Sequence, residues 1–326
     1  MNLLSENKRF LDFLGVSKFH DAGYFGERGL TATGETWDLK DYDDEFIIKP
    51  YDLSENGKHA IETAKTFRQI APQCKLVQLP YIDLIGKCIP VIKDMGISVM
   101  FTSWSGKYNN ANWDKALDDI NIFYCMSSGN DNETEYNHYL ENKNIYGVGA
   151  YYLKYPSNEA IMAKYSSATE YVDFSAPTLI NVPIGNDCYP FSGTSCSCPV
   201  LAGMCALVND FFIDKTGKPL SRKMMYQFLK DYSVDIYTEG KDTKSGWGAV
   251  RLPDPKDIDI KKYAEVMTVE YKDKSDISSW ALSAVENCYN SGIMAGDANG
   301  NFNPQKPITR EEIAIIADRI IKIIKR

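Results

Sequence analysis

Ser195 lies in the stretch with the clearest chemical potential, where Gly193-Thr194-Ser195 is followed by Pro199 and a long apolar segment. A small Gly-Thr pair before apolar residues predicts a serine at the start of a buried helix, with Pro199 in the first turn, where proline is tolerated. Backbone N–H groups and the positive end of a helix suit a developing oxyanion. The stretch therefore indicates a nucleophilic serine, and an ordinary buried helix capped by serine is the alternative.

Acyl transfer by serine requires a base, a carboxylate that orients the base, and donors for the oxyanion. The chain has only three histidines, His20, His59 and His138. Of these, His59 opens a predicted helix that leads through Ala71-Pro72 into an apolar strand. Asn130 follows another predicted strand, and its side-chain amide is a suitable oxyanion donor.

These segments resemble the subtilisin-like (S8) serine proteases. Gly193-Thr194-Ser195 with Pro199 matches the motif Gly-Thr-Ser-x-x-x-Pro, although the residues between serine and proline differ from the common Met-Ala-Ser. Asn56-Gly57-Lys58-His59 resembles the family's His-Gly-Thr-His segment in part, and Ser127-Ser128-Gly129-Asn130 resembles Ala-Ala-Gly-Asn. The resemblance implies that Ser195 is the nucleophile, His59 the base and Asn130 the oxyanion donor.

The orienting carboxylate has three candidates. In the register that the resemblance favours, Leu30–Gly34 is the first core strand and Glu35-Thr36-Trp37 falls on the family's Asp-Thr-Gly. Glu35 is therefore the first choice, Asp38 the second and Asp21 the third. If Glu35 is only a surface carboxylate, the triad is incomplete.

Two further segments resemble the substrate edges of that family. We expect them to flank the pocket for the side chain before the scissile bond, and one of them to pair with substrate backbone by strand addition. Trp104 replaces a commonly aliphatic residue, which changes the expected shape of the pocket. The predicted substrate-binding residues are Ser103, Trp104, Ser105, Ser127, Ser128 and Gly129.

Short apolar strands alternate with helical stretches from residue 30 to 210. This pattern predicts an α/β fold, with a mostly parallel sheet covered by helices on both faces. Such sheets bind ligands beyond the carboxyl ends of their strands. The strands are expected at 45–49, 75–79, 97–102, 121–126 and 145–152, and the helices at 1–28, 58–70, 82–95, 112–119 and 220–231.

We expect residues 1–250 to form the peptidase domain, 251–264 a charged, proline-containing linker, and 265–326 a small helical domain. In the last region, Ser291-Gly292 precedes the turn-rich Gly296-Asp297-Ala298-Asn299-Gly300-Asn301, and Thr309-Arg310-Glu311-Glu312 follows it. Together these segments are similar to one S-layer homology (SLH) module, which implies binding to secondary cell-wall polysaccharide. Two helices are predicted at 280–291 and 309–325, the second with a Thr309/Glu312 capping box. The candidate polymer-binding residues are Asp273, Trp280 and Arg310.

Composition limits the possible partners. The formal net charge is −8 and the pI is near 5.1, which argues against nucleic acid as the main partner. No membrane span and no secretory signal are predicted, so we expect synthesis in the cytoplasm and association with the cell envelope or a virion. The eight cysteines are expected to be reduced and structural.

The sequence thus predicts a serine endopeptidase acting on polypeptides and attached to a cell-wall polymer. No cofactor is expected for the chemistry; structural calcium is common in the family, but no site for it is assigned. The alternative is a pseudoprotease that binds peptide or serves as a structural envelope or virion protein. A different α/β serine hydrolase is disfavoured, because the chain lacks a Gly-x-Ser-x-Gly elbow.

Overall fold

The computed structural model describes residues 3–52, 57–80, 84–106, 111–184, 187–263, 271–290, 293–297 and 299–324. The helices are α1 Leu3–Phe13, α2 Val16–Asp21, α3 Gly57–Ile70, α4 Ile89–Met95, α5 Ala111–Asp118, α6 Thr194–Thr216, α7 Arg222–Asp231, α8 Ile260–Tyr263, α9 Ser279–Asn290 and α10 Arg310–Ile324. A π-helix spans Leu84–Cys88, and short 3₁₀ turns span His138–Glu141, Pro255–Asp257 and Lys274–Asp276.

The strands form one large sheet and one separate hairpin. They are β1 Leu30–Thr33, β2 Ile47–Ile48, β3 Lys75–Gln78, β4 Val99–Thr102, β5 Phe123–Ser127, β6 Ile145–Leu153, β7 Ala160–Met162, β8 Val172–Pro177, β9 Ile180–Ile184, β10 Asp187–Phe191, β11 Ser233–Val234 and β12 Ala249–Val250. The order in the large sheet is β11-β12-β8-β6-β5-β4-β1-β3-β2, with β7 paired to β6. The pairs from β12 to β2 are parallel, whereas β7 and β11 pair antiparallel. The predicted α/β fold is confirmed.

Side chains of the central strands alternate between two cores, as the pleat of a strand requires. Phe101, Phe123 and Cys125 pack into one apolar cluster, while Tyr124 and Met126 pack into the other. The first cluster includes much of α3 and α6 and the second includes α4 residues. Both faces are therefore buried, which explains why the strands are continuously apolar in sequence.

The long helix α6 is the centre of the first core. It is apolar on all sides and almost completely buried. Gly203 lets it approach α3 closely, since a β-carbon there would lie 2.6 Å from Cβ of Ile70. Among the described residues, α6 alone is long and apolar enough to cross a bilayer, and 94% of its apolar window is buried inside the domain. A buried core helix passes that test without spanning a membrane.

The predicted linker packs against this body over most of its length. Leu252 donates its N–H to the carbonyl of Leu14, and Leu252, Ile258 and Tyr263 are buried in the first core. Charge and two prolines predicted a linker, and in the structure an apolar side chain every few residues packs this segment against the domain. The end of the predicted linker at residue 264, and the start of the predicted module at 265–270, lie outside the described residues.

The C-terminal region has its own small core of Tyr271, Ile277 and Val285. Its helices α9 and α10 confirm the two predicted helices to within one residue. The capping box is also confirmed, because Glu312 N–H donates to Thr309 Oγ1 (3.1 Å) and Thr309 N–H donates to Glu312 Oε2 (2.8 Å). Ser291, Gly292 and Ala298 of the module motif lie outside the described residues.

Candidate active site

The candidate active site lies where the carboxyl ends of β1, β4 and β5 meet the first turns of α3 and α6. Glu35 follows β1, Ser103 follows β4 and Asn130 follows β5. His59 is the third residue of α3, and Ser195 is the second residue of α6. Because parallel strands end at one edge of the sheet, segments far apart in sequence converge there.

Glu35 and His59 form the strongest polar contact of the site. Nδ1 of His59 lies 2.6 Å from Oε1 of Glu35, and the N–H of Ser103 donates to Oε2 at 3.2 Å. Glu35 is buried, whereas the His59 side chain is partly exposed and meets the ring of Phe191 edge-on. Burial by itself lowers the pKa of His59, but the hydrogen bond and charge of Glu35 outweigh it, so the pKa is raised above its ordinary value. An imidazole held at Nδ1 presents Nε2 as the available base.

The other two carboxylate candidates do not contact His59. Asp38 is paired with Lys40 at 3.0 Å, which together with the backbone N–H of that residue lowers the pKa of Asp38. Asp21 is an exposed residue at the end of α2. Of the three candidates, the structure brings only Glu35 to the histidine.

Ser195 sits at the start of α6, in the position that its motif predicts. Gly193 precedes the helix with φ of 91° and ψ of 170°, a conformation that an L side chain rarely adopts. The Ser195 Oγ donates to the carbonyl oxygen of Ser103 at 3.0 Å, and no hydrogen bond joins it to His59, both residues being described. The Ser195 hydroxyl must therefore give up its bond to the Ser103 carbonyl before it can donate to His59. Hydrogen bonds of catalytic groups are often loose or misdirected without substrate.

Pro199 lies one turn deeper than predicted. It is the sixth residue of α6, and not part of the first turn. Proline has no N–H, so the carbonyl of Ser195, four residues earlier, loses its helical partner. The Ser103 Oγ donates to that carbonyl at 2.9 Å and replaces the missing bond. Ser103 thus contacts the nucleophile twice, in addition to its bond with Glu35.

Asn130 is held so that its amide can donate. Its Oδ1 accepts from the Thr194 N–H (2.9 Å) and the Thr194 Oγ1 (3.1 Å). Because a backbone N–H only donates, this fixes which end of the amide faces Thr194. Within the described part of the chain, Asn130 Nδ2 and the Ser195 N–H have no hydrogen-bond partner, and both are available to an oxyanion. The arrangement fits the donor pair of an oxyanion hole.

The two predicted substrate segments lie side by side and are tied together. Ser127 Oγ donates to the carbonyl of Trp104 at 3.4 Å. Asn137, which sequence analysis missed, donates through Nδ2 to the carbonyls of Trp104 (3.0 Å) and Ser127 (2.9 Å). Ser128 and Gly129 are buried, whereas Ser105 is exposed. No motif marks Asn137, since its partners are brought together only by the fold.

A second group that sequence analysis missed fixes the glycine before the nucleophile. Gly193 N–H donates to the Tyr165 Oη (3.0 Å), which lies 3.1 Å from Thr178 Oγ1. Thr178 Oγ1 donates in turn to the Gly193 carbonyl at 3.1 Å. Both backbone groups of Gly193 are therefore held. Thr178 directly follows the end of β8, and nothing in the sequence analysis marked it or Tyr165.

The candidate polymer-binding residues differ in their surroundings. Trp280 is 86% exposed, and Arg310 is exposed at the start of α10. Both carboxylate oxygens of Asp273 accept backbone N–H groups, from Phe302 at 2.8 Å and Asn303 at 2.7 Å, which lowers the pKa of Asp273. A pocket of about 320 Å³ in this region is lined by other residues, and Asp273, Trp280 and Arg310 do not line it. The geometry favours a structural role for Asp273.

In the part of the chain that the structure describes, no group of three or more His, Cys, Asp and Glu side chains is arranged to hold a metal ion. All eight cysteines are free thiols, and six of them are buried. Burial raises the pKa of Cys196 to about 12 and that of Cys74 to about 11, so these thiols stay protonated at neutral pH.

Comparison with known proteins finds two families in the chain. The model of the subtilase family matches residues 48–248, and that of the S-layer homology domain matches residues 270–314. A Surface-layer 125 kDa protein of Lysinibacillus sphaericus is 41% identical over 54 residues, which are 17% of this chain and only 5% of that protein.

Solved structures share the fold at low identity. A lanthipeptide protease is 21% identical with a TM-score of 0.59, covering 77% of this chain and 95% of that one. Fervidolysin from Fervidobacterium pennivorans, described as a keratinolytic enzyme related to subtilisin, is 20% identical with a TM-score of 0.62, covering 76% of this chain and 45% of its own. The PatG macrocyclase domain is 15% identical with a TM-score of 0.61, covering 74% and 94%.

Proposed function

The chain belongs to the subtilase family, and we propose that it is a serine endopeptidase whose triad is Glu35, His59 and Ser195. The observation that carries this proposal is the 2.6 Å contact between His59 Nδ1 and the buried Glu35 carboxylate. A histidine oriented in this way beside a serine at a helix start has the parts that acyl transfer requires.

The proposed reaction starts when substrate occupies the site. A backbone N–H of the peptide competes for the Ser103 carbonyl, so that Ser195 Oγ can turn toward His59. Nε2 of His59 accepts the Oγ proton as Oγ attacks the scissile carbonyl carbon. Asn130 Nδ2 and the Ser195 N–H donate to the resulting oxyanion.

Collapse of the tetrahedral intermediate breaks the C–N bond. His59 gives its proton to the leaving amine, and an acyl ester on Ser195 remains. Water then attacks this ester with His59 again accepting the proton, which returns to Ser195 Oγ as the carboxylic acid product leaves. Since protein groups supply nucleophile, base and oxyanion donors, we propose that these steps need no cofactor; a structural calcium site remains unassigned.

The domain division is also a proposal. We assign residues 1–250 and the packed 251–263 segment to the peptidase unit, and the region after 264 to an SLH module. The module match and the similarity to a surface-layer protein support attachment to a cell-wall polysaccharide. Exposed Trp280 and Arg310 are the side chains available for a polymer. A single module favours weak binding unless several copies act together.

Active-site labelling tests the peptidase proposal. A fluorophosphonate probe should label the wild-type protein and leave Ser195→Ala unlabelled, and casein hydrolysis should disappear in the same variant. A wild-type protein that is folded but unlabelled would show that the catalytic assignment is wrong.

One observation favours a second candidate, a pseudoprotease that binds peptide without cleaving it. Ser195 Oγ donates to Ser103 instead of His59 in the structure. If that arrangement persists with peptide bound, the protein will bind peptides and remain unlabelled.

Sedimentation with purified cell-wall polysaccharide, comparing wild type with Trp280→Ala and Arg310→Ala, tests the module separately.

A further inference from the structure

The side chain before the scissile bond has a defined place in this site. The attacked carbonyl must lie beside Ser195 Oγ with its oxygen at Asn130 Nδ2. The preceding part of the peptide then runs along the exposed edge at Ser105, and its last side chain points between segment 103–105 and segment 127–129. We call this gap the P1 slot, after the residue whose carbonyl is attacked. Its placement rests on the proposed function, because it follows from attack by Ser195.

The walls of the P1 slot are nearly inaccessible to solvent. Ser103, Ser127 and Ser128 are between 0 and 3% exposed, and Asn137 is not exposed at all. A slot open enough for a large side chain would leave such wall residues in contact with water. Their low exposure indicates that the gap between the two walls is narrow.

Asn137 bridges the two walls. One amide nitrogen, Nδ2, lies about 3 Å from the carbonyl oxygens of both Trp104 and Ser127, which holds the walls close together. Its Oδ1 accepts from the N–H groups of Gly106 and Tyr139, both at 3.3 Å, so the amide is fully engaged and its orientation is fixed. Ser127 Oγ adds a third link between the walls, to the Trp104 carbonyl.

Neighbouring groups prevent the walls from yielding. A β-carbon on Gly129 would lie 2.7 Å from the Ser167 Oγ, and one on Gly106 would lie 2.5 Å from the Trp104 ring. The Trp104 ring itself packs beside Tyr139, with centroids 5.5 Å apart. A side chain that widened the slot would therefore have to displace a packed ring or break the Asn137 bonds.

From this geometry we propose that Asn137 makes the protein selective for substrates with a small residue, glycine, alanine or serine, at P1. Asn137 is a specificity-determining residue that acts through the slot walls and does not touch the reacting atoms. Larger P1 side chains such as leucine and phenylalanine are excluded because the floor formed by the amide leaves no volume for them. The preference belongs to the resting shape of the site and needs no conformational change.

The test uses a series of internally quenched peptides identical except at P1, with Gly, Ala, Ser, Leu or Phe. For the wild-type full chain, kcat/KM for the small residues should exceed that for Leu and Phe by at least about tenfold, since pockets discriminate side-chain size by factors of about 10–200 per methylene. In Asn137→Ala the ratio of Phe to Ala turnover should rise at least about tenfold. Asn142→Ala, which removes another buried asparagine of the same segment, is the matched control and should leave the ratio unchanged.

Binding of the same peptides to Ser195→Ala, measured by calorimetry, separates this inference from the proposed function. If wild type is neither labelled nor active, the proposed function is wrong, and the affinity series still decides the slot. Tighter binding of small P1 residues supports the inference. Equal affinity across the series, tighter binding of Phe, or no binding of any peptide overturns it. If Asn137→Ala does not fold, Asn137→Ser takes its place, because the shorter side chain also vacates the gap between the walls, and an unchanged ratio of Phe to Ala turnover in that variant overturns the role of Asn137.

Discussion

Replacing Glu35 by glutamine probes the acid of the proposed triad without changing its size. The Ser103 N–H, which can only donate, lies 3.2 Å from one carboxylate oxygen. In Glu35→Gln that donor favours the amide oxygen on its side, which turns the NH₂ group toward His59 Nδ1. Nδ1 must then accept, so the proton of neutral His59 moves to Nε2. The base is left in the wrong tautomer for removing the Ser195 proton.

The size of the effect follows from two losses. The 2.6 Å charge-assisted contact with His59 disappears, and with it the stabilisation of the imidazolium that forms during attack. The equivalent carboxylate-to-carboxamide change in a Ser-His-Asp protease lowers kcat about 10⁴-fold, which corresponds to about 5 kcal/mol of barrier. We expect a decrease of about 10³- to 10⁴-fold in kcat with KM little changed, because Glu35 lies behind His59 and away from the substrate edge.

Steady-state hydrolysis of a quenched peptide with a small P1 residue measures both constants. The rate of fluorophosphonate labelling provides a second measurement that does not depend on product release. Asp38→Asn is the control, since Asp38 pairs with Lys40, and its kcat should stay within about twofold of wild type. A loss below tenfold in Glu35→Gln, or an equal loss in Asp38→Asn, would refute the assignment of Glu35.

Three further predictions concern the base His59, the glycine before the nucleophile, and a buried carboxylate of the fold. Protonated His59 cannot accept the proton of Ser195, and Glu35 raises the pKa of His59 above its ordinary value of about 6.5. A pH–rate profile of the wild type should therefore show an inflection at a pH above about 6.5, and kcat/KM should fall tenfold for each pH unit below that inflection. Tyr165→Phe leaves the Gly193 N–H without its partner and should lower the fluorophosphonate labelling rate about tenfold, while circular dichroism at 25 °C stays unchanged. The buried carboxylate of Asp210 accepts hydrogen bonds from three backbone N–H groups and from the Arg28 guanidinium. In Asp210→Asn only one side-chain oxygen remains to accept them, so urea unfolding should show a loss of about 2–4 kcal/mol of stability. A loss below about 0.5 kcal/mol would contradict this reasoning.

The sheet follows from local sequence signals, whereas the choice of Glu35 as the partner of His59 followed from the family resemblance. The apolar runs of the sequence mark the strands of the sheet, because strands that are buried on both faces must be continuously apolar. Placing Leu30–Gly34 as the first strand put Glu35 just beyond its carboxyl end, where ligand-facing residues gather. The alternative Asp21 sits before that strand, at the end of α2. Strand register therefore decided which carboxylate reaches His59.

The supports of the site were not predictable, since their partners are distant in sequence. Asn137 acts on carbonyls 10 and 33 residues away, and Tyr165 acts on a glycine 28 residues away. An isolated asparagine or tyrosine in a polar loop carries no signal of such contacts. The packing of segment 251–263 against the domain was not foreseen for a related reason, because its apolar side chains are spaced among charged residues.

Pro199 shows how a local rule is broken where the site needs it. A proline at the sixth position of α6 costs one helical hydrogen bond and would leave the half-buried Ser195 carbonyl unpaired. The Ser103 hydroxyl fills that vacancy, and the same residue holds Ser195 Oγ through its carbonyl and Glu35 through its N–H. The missing helix bond is therefore what couples the end of β4 to the nucleophile. Acid, nucleophile and substrate edge are fixed relative to one another through a single serine, so a disturbance of Ser103 will displace all three together.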